Sequence, residues 1–239
     1  MSLQSEFAPT GVIRVGINLG NPVIAQRDAQ GGEPRGVASD LARDLGRRLG
    51  LGLRFVPYET AGKMADAVKE DAWDVAFLAI DPERANDIDF TPAYVHIEGT
   101  YLVHGDSPLR VVEEVDRAGV RIAVGLKTAY DLWLTRNIKH AQLVRSASSE
   151  TAIAQFLEEK LEAAAGVRQP LLAAARRNKG LRVMDGSFMV IRQASGVPKG
   201  RAAALKYLAD FIEEAKHTGL VGRLLDKSGV AGASVAPRA

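Results

Sequence analysis

Apolar residues along this chain follow two alternating rhythms. Short runs apolar on both faces are separated by stretches in which apolar residues return every three or four positions. Val12–Ile17, Leu53–Pro57 and the unbroken run Val75–Ile80 have strand length. A strand apolar on both faces suits a parallel sheet covered by helices on each side. Between the first two runs, Leu41, Leu45 and Leu49 share one helical face, with Ser39-Asp40 as the expected cap and Gly50 as the stop. Met64, Ala67 and Val68 form the inward face of a helix expected over Lys63–Glu70. The order strand–helix–strand–helix–strand predicts a parallel α/β unit.

A second series follows. Thr100–Val103 and Val120–Val124 read as strands, and the latter echoes Ile13–Ile17, each carrying an arginine near its start (Arg14, Arg121). Helices are expected over Ala129–Asn137, Thr151–Glu159 and Pro170–Asn178, with the apolar segment Leu161–Val167 between the last two. Phe188–Ile191 reads as a late strand. Helices over Gly200–Lys216 and Leu220–Asp226 close the chain, separated by Gly219. Trp73 and Trp133 lie on apolar faces and are expected in the core.

Composition narrows the function classes. The chain has 239 residues, a formal net charge of +2 and no cysteine, which excludes disulfides, thiolate metal sites and thiol catalysis. The basic clusters Arg47-Arg48 and Arg176-Arg177-Asn178-Lys179 lack interleaved aromatics, so no nucleic-acid partner is expected. No run approaches the roughly 20 apolar residues of a membrane span. His96, His104, His140 and His217 show no metal-ligand spacing and are expected at scattered surface or hinge positions. Nucleophile-elbow, P-loop and dinucleotide motifs are absent, and no cofactor or metal is expected. The start, MSLQSEFAPTG, carries no signal-peptide pattern, and Met1-Ser2-Leu3 reads as a cloning remnant. The expected location is the periplasm if a signal peptide has been removed ahead of this start, and otherwise the cytoplasm.

The candidate chemistry centres on Trp73–Tyr94, WDVAFLAIDPERANDIDFTPAY. Ligands of parallel sheets collect at the carboxyl ends of the strands. Arg84 stands four residues past Ile80, where a guanidinium can fork onto a carboxylate. Read alone, Arg84 is more safely taken as a surface turn residue, and its company along the chain shifts that balance.

The combination of Arg14-Val15-Gly16, Gly36-Val37-Ala38-Ser39-Asp40-Leu41-Ala42, Trp73-Asp74-Val75, Pro82-Glu83-Arg84 with Ile88–Tyr94, and Glu214–Gly219 resembles the family 3 extracytoplasmic solute-binding proteins, receptors of polar amino-acid ABC transporters. The resemblance runs from Gly11 to about Gly229. It implies two Rossmann-like α/β lobes joined by a two-strand hinge, the type II periplasmic binding protein fold. Lobe one would hold residues 1–98 and 188–239, and lobe two residues 99–187. The implied function is capture of a small carboxylate-bearing solute, an amino acid or related organic acid, between the lobes by hinge closure. The implied partner is an ABC permease, and the expected state is a monomer. Alternatives on the same fold are a cyclohexadienyl dehydratase-like enzyme and a ligand-sensing domain without a transporter.

The resemblance also assigns positions. Arg84 matches the arginine that grips the ligand carboxylate. Asn18 matches a position at the end of the first strand, and Ala79 one usually occupied by Ser or Thr. Lys127-Thr128-Ala129 matches a Gly-Thr-Thr-like turn at a helix N-terminus in lobe two, where free N–H groups favour an anion. The family's acid for the ligand ammonium falls on or near Val167, with Arg168 beside it. An ammonium buried without a carboxylate is costly. The expected ligand is therefore an anion rather than a neutral α-amino acid, with Arg84, Arg168 and Lys127 as its cations. Glu98 is a further position expected at the crossing.

Overall fold

The computed structural model describes residues 2–239. Met1, part of the expected cloning remnant, lies outside them. Ser2 and Leu3 belong to the fold. Helix α1 spans Leu3–Phe7, and its N-cap Ser2 accepts a hydrogen bond from the Ser5 amide.

The chain divides into two compact units, one running from its start to His96 and from Arg192 to Ala239, the other comprising Ile97–Ile191. The first unit opens with α1 and continues through β1 (Ile13–Asn18), α2 (Val37–Leu49), β2 (Leu53–Tyr58), α3 (Ala61–Asp66), β3 (Val75–Ala79) and β4 (Ile88–Phe90). Strand β5 (Val95–His104) carries the chain into the second unit. There follow β6 (Arg121–Gly125), α4 (Ala129–Asn137), β7 (Gln142–Ser146), α5 (Ser149–Glu158), β8 (Ala163–Val167), α6 (Arg168–Arg177) and β9 (Leu181–Val183). Strand β10 (Met189–Pro198) returns the chain, and α7 (Ala202–His217), α8 (Leu220–Ser228) and β11 (Ala233–Val235) complete the first unit.

In the first unit β1 is parallel to β2, from Ile13 opposite Leu53 to Asn18 opposite Tyr58, and parallel to β3, with Ile17 opposite Phe77. Strand β10 adds to β3 antiparallel, Gln193 facing Ala79. β3 is buried at every position, as its unbroken apolar run predicts. Trp73, Met64, Leu78 and Ile88 pack into one cluster beneath it, and the Trp73 indole N–H is satisfied by the Met64 carbonyl at 2.9 Å. Burying such side chains contributes about 1.5–3 kcal/mol each, which makes this cluster a main source of the unit's stability.

The second unit repeats the plan. β6 is parallel to β7 and to β8, and β8 pairs antiparallel with β5, Gly99 facing Val167. Leu102, Phe156, Leu161 and Leu171 form its core with a floor of alanines. Gly125, at the end of β6, lies so close to the start of α5 that a Cβ there would stand 2.8 Å from the Ser149 amide nitrogen. That close approach requires glycine.

Several local expectations are corrected. The N-cap of α2 is Gly36, not Ser39-Asp40. Its φ of +110° and its contact with the Ile24 carbonyl admit no side chain, and Ser39 is buried inside the helix. The helix expected over Lys63–Glu70 is α-helical only to Asp66 and tightens into a 3₁₀ turn over Ala67–Glu70. The late strand is longer than Phe188–Ile191, and β7 and β11 are additional strands. Trp133 is only half-buried and lines a pocket, whereas Trp73 is core. His104 is neither a hinge nor a free surface residue, since its half-buried ring stacks on Phe156 at 4.7 Å.

Candidate functional site

The proposed ligand residues stand at strand carboxyl ends, and each unit holds its own group. In the first unit these are Asn18 closing β1, Ala79 closing β3, and Arg84 in the 3₁₀ turn Arg84–Asn86 just beyond β3. The turn is built by Asp81. Its Oδ1 accepts the Glu83 amide at 2.9 Å, and its carbonyl accepts the Ala85 amide at 2.9 Å. This folds the chain back over the strand end and buries Arg84 to 5% exposure. The Arg84 Nη1 donates to the Ala79 carbonyl at 2.9 Å, so Ala79 acts through its backbone.

Burial pulls the Arg84 pKa down to about 10, against the opposing charges of Asp81, Glu83 and Asp66. The guanidinium remains a cation at neutral pH. Asp81, itself 3% exposed, was readable in the sequence only as a strand boundary. Its signal is an aspartate directly ahead of Pro-Glu-Arg. Asn18 turns its Oδ1 back to accept the Gly20 amide at 3.0 Å, holding the loop after β1.

In the second unit, Lys127 and Thr128 follow β6, and Arg168 follows the neighbouring parallel strand β8. Lys127 has φ of +55°, which explains why a turn of this kind favours glycine. Thr128 is the N-cap of α4. Its Oγ1 accepts the Asp131 amide at 3.1 Å and donates to the Gly125 carbonyl at 2.8 Å. Ala129 begins the helix, 7% exposed.

The same turn holds a carboxylate that sequence reading missed. Asp131, 2% exposed, accepts the Lys127 amide at 2.8 Å and pairs with Arg145 Nε at 2.9 Å. An acid in the first turn offsets the positive end of the helix dipole. The attraction of this terminus for an external anion is reduced accordingly.

Arg168, the first residue of α6, is committed within its own unit. Its Nε pairs with Glu98 Oε2 at 2.5 Å, Nη1 donates to the Met184 carbonyl at 3.1 Å, and Nη2 donates to the Gly186 carbonyl. Val167 is the N-cap of α6 and offers no side-chain hydrogen bond to it. Glu162, at the family's Asp-Ala segment, clamps Arg121 at the start of β6. Among the described residues no cluster of three or more His, Asp or Glu is placed to hold a metal ion, and no helix is long and apolar enough to cross a membrane.

The chain is thus two α/β units connected through β5 and β10, each with its own polar groups at strand carboxyl ends. The chain belongs to the bacterial extracellular solute-binding proteins, family 3, whose profile matches residues 13–230. The L-cystine-binding protein TcyJ of Escherichia coli K12 is 25% identical over 230 residues, covering 94% of this chain and 85% of that protein. Among solved structures, a solute receptor for L-cysteine of Neisseria gonorrhoeae superposes with a TM-score of 0.81 at 22% identity, covering 95% of this chain and 93% of that one. The ancestral amino acid-binding protein AncCDT-1, a precursor of cyclohexadienyl dehydratase, superposes with a TM-score of 0.77 at 23% identity, covering 95% and 99%. At these identities the solved structures establish the fold, that of the type II periplasmic binding proteins.

Proposed function

We propose that this protein is the solute receptor of an ABC-type importer, working on the periplasmic side after removal of a signal peptide. It captures a small carboxylate-bearing solute, an amino acid or related organic acid, without turning it over. Arg84 grips the solute carboxylate, and the second unit supplies the opposing groups from its Lys127-Thr128-Ala129 turn as the hinge closes. The observation that carries this reading is the placement of Arg84. It is a buried, charged guanidinium steadied by the Ala79 carbonyl at the end of a central parallel strand. The family membership supports it, and relatives named for L-cystine and L-cysteine support an amino-acid-like solute.

The solute is anionic overall. With Val167 where an acid would meet an ammonium, a neutral α-amino acid gains no partner there for its positive charge. Arg168 reaches a second carboxylate only by exchanging its bond to Glu98. Glu98, once released, is the one acid of this group free to meet an ammonium. A thermal-shift screen of cystine, cysteine, glutamine, histidine, glutamate and succinate identifies the solute. A ligand at 100 times its Kd raises stability by about 2.7 kcal/mol.

In Arg84→Ala the affinity for the identified solute falls by about 2–5 kcal/mol, and unchanged affinity in calorimetry overturns the assignment. Tight binding of glutamine or histidine, with the acids silent, overturns the anionic preference. Turnover of prephenate or arogenate moves the protein to the enzyme class. Small-angle scattering is expected to show compaction on binding, and its absence with a confirmed ligand contradicts hinge closure.

A further inference from the structure

The second unit contains a pocket of about 250 Å³ that shares no residue with the candidate solute site. Three aromatic residues line it, Tyr101 on β5, Trp133 on α4 and Phe188 just ahead of β10, together with the carboxylates Glu113 and Asp116. No lysine or arginine lines it. The rings form a ladder in which Phe188 lies 4.6 Å from Tyr101 and 5.4 Å from Trp133, tilted by 34° and 35°.

Asp116 is held rigidly by the backbone amides of Lys139, His140 and Ala141 at 2.9, 2.8 and 2.9 Å. Those bonds keep it ionised, its pKa drawn below the ordinary carboxylate value against the effect of burial. Tyr101 is 3% exposed, and burial together with the Asp116 charge raises the pKa of its hydroxyl. The Tyr101 side chain contributes to the pocket lining.

We propose that this pocket is a second ligand site, taking a small organic ammonium that also carries a hydroxyl. The aromatic walls attract the cationic head through their ring quadrupoles, and Glu113 and Asp116 supply the counter-charge. The Tyr101 hydroxyl pairs with the hydroxyl of the guest. A neutral guest would gain nothing from the negative charge of the two carboxylates, and an anion would be repelled.

The probe is choline. The chain has two tryptophans, so its indole N–H region in a ¹H–¹⁵N spectrum holds two resonances. Trp73 is buried in the other unit and bonded to Met64. Choline is expected to move the Trp133 indole resonance saturably and leave that of Trp73 in place. The uncharged carbon isostere 3,3-dimethylbutan-1-ol is expected to bind about 5- to 30-fold more weakly, the range of a desolvated cation–ring contact. Trp133→Leu removes the binding measured by calorimetry. Glu113→Gln, at an exposed residue that can change without disturbing the fold, weakens it severalfold. A still Trp133 resonance, equal affinity for the isostere, or full affinity in Glu113→Gln overturns the proposal.

Discussion

Each unit contains the same arginine clamp, set in two different environments. In the first, Arg14 on β1 directs its backbone N–H and Nε to one oxygen of Asp74 at 3.0 and 2.9 Å, and Nη2 to the other at 2.8 Å. In the second, Arg121 on β6 does the same to Glu162 at 2.7, 3.0 and 2.9 Å. Each acid directly precedes the neighbouring parallel strand, β3 or β8, so each clamp sets where two strands begin side by side. The surroundings differ. The Asp74 side chain is fully buried and takes a second cation, Arg201 Nη1, at 2.8 Å. The Arg121 and Glu162 side chains are 40% and 36% exposed. Water screens the second clamp and leaves the first unscreened. Identical geometry therefore carries different energetic weight, and solvent access decides which clamp the fold depends on.

The largest expected effect follows from breaking the buried clamp. Asp74→Ala takes the buried counter-charge from Arg14, whose side chain is 9% exposed, and from Arg201, leaving both with the exposed carboxylate of Asp71 as their remaining acid. Arg201 also bonds the Glu6 carbonyl at 2.9 Å, and Glu6 accepts the Ala204 amide near the start of α7. The loss thus reaches the anchoring of α1 and α7. Removing one partner of a buried pair costs about 3–5 kcal/mol, read as a lower urea midpoint. A change below about 1 kcal/mol would show that water enters this site as freely as it does at Glu162.

Acid titration sharpens the same contrast. Burial pushes the Asp74 pKa up, but the bonds from Arg14 and Arg201 outweigh it, and the net shift is below the ordinary value of 3.8. A carboxyl whose folded pKa is lowered contributes stability that is fully present above its unfolded pKa. That stability is lost as pH falls through the folded value. Stability should therefore hold down to about pH 4 and decline below it, and Asp74→Asn should flatten that decline. An unchanged acid limb in Asp74→Asn assigns the decline to other carboxylates.

The sequence carried the parts of this fold that depend on local pattern. The both-face apolar run of β3, the extent of α4 and the echo between Ile13–Ile17 and Val120–Val124 were visible because neighbouring residues create them. The echo even marked the two clamp arginines, although neither acid could be paired with them. Asp74 lies 60 residues from Arg14 and Glu162 lies 41 from Arg121, separations that leave no periodic trace. The same limit hid the bond from Arg168 to Glu98, 70 residues apart, and the placement of Asp131 beneath Lys127. β7 was missed because Gln142–Ser146 is half-exposed and polar at both ends, so it lacks an apolar run. The strand-end position of Arg84 was legible from length alone. The carboxylates around it depend on how the turn at Asp81 folds.

The smallest expected effect concerns the exposed clamp. Glu162→Ala removes three bonds to Arg121, the same number that Asp74 makes to Arg14. If bond count governed stability, the two substitutions would cost the same. Arg121, however, keeps its contact with the Lys160 carbonyl at 3.0 Å and turns to water without desolvation. The Glu162 carboxyl is held below its ordinary pKa chiefly by the Arg121 side chain, an interaction that water screens. Glu162→Ala is therefore expected to lower Tm by no more than about 4 °C. Raising the salt concentration should weaken the wild-type clamp in the second unit and leave that in the first largely intact, because salt screens exposed pairs far more than buried ones. A Tm loss in Glu162→Ala equal to that in Asp74→Ala would show that strand alignment, which both clamps share, outweighs burial, which they do not.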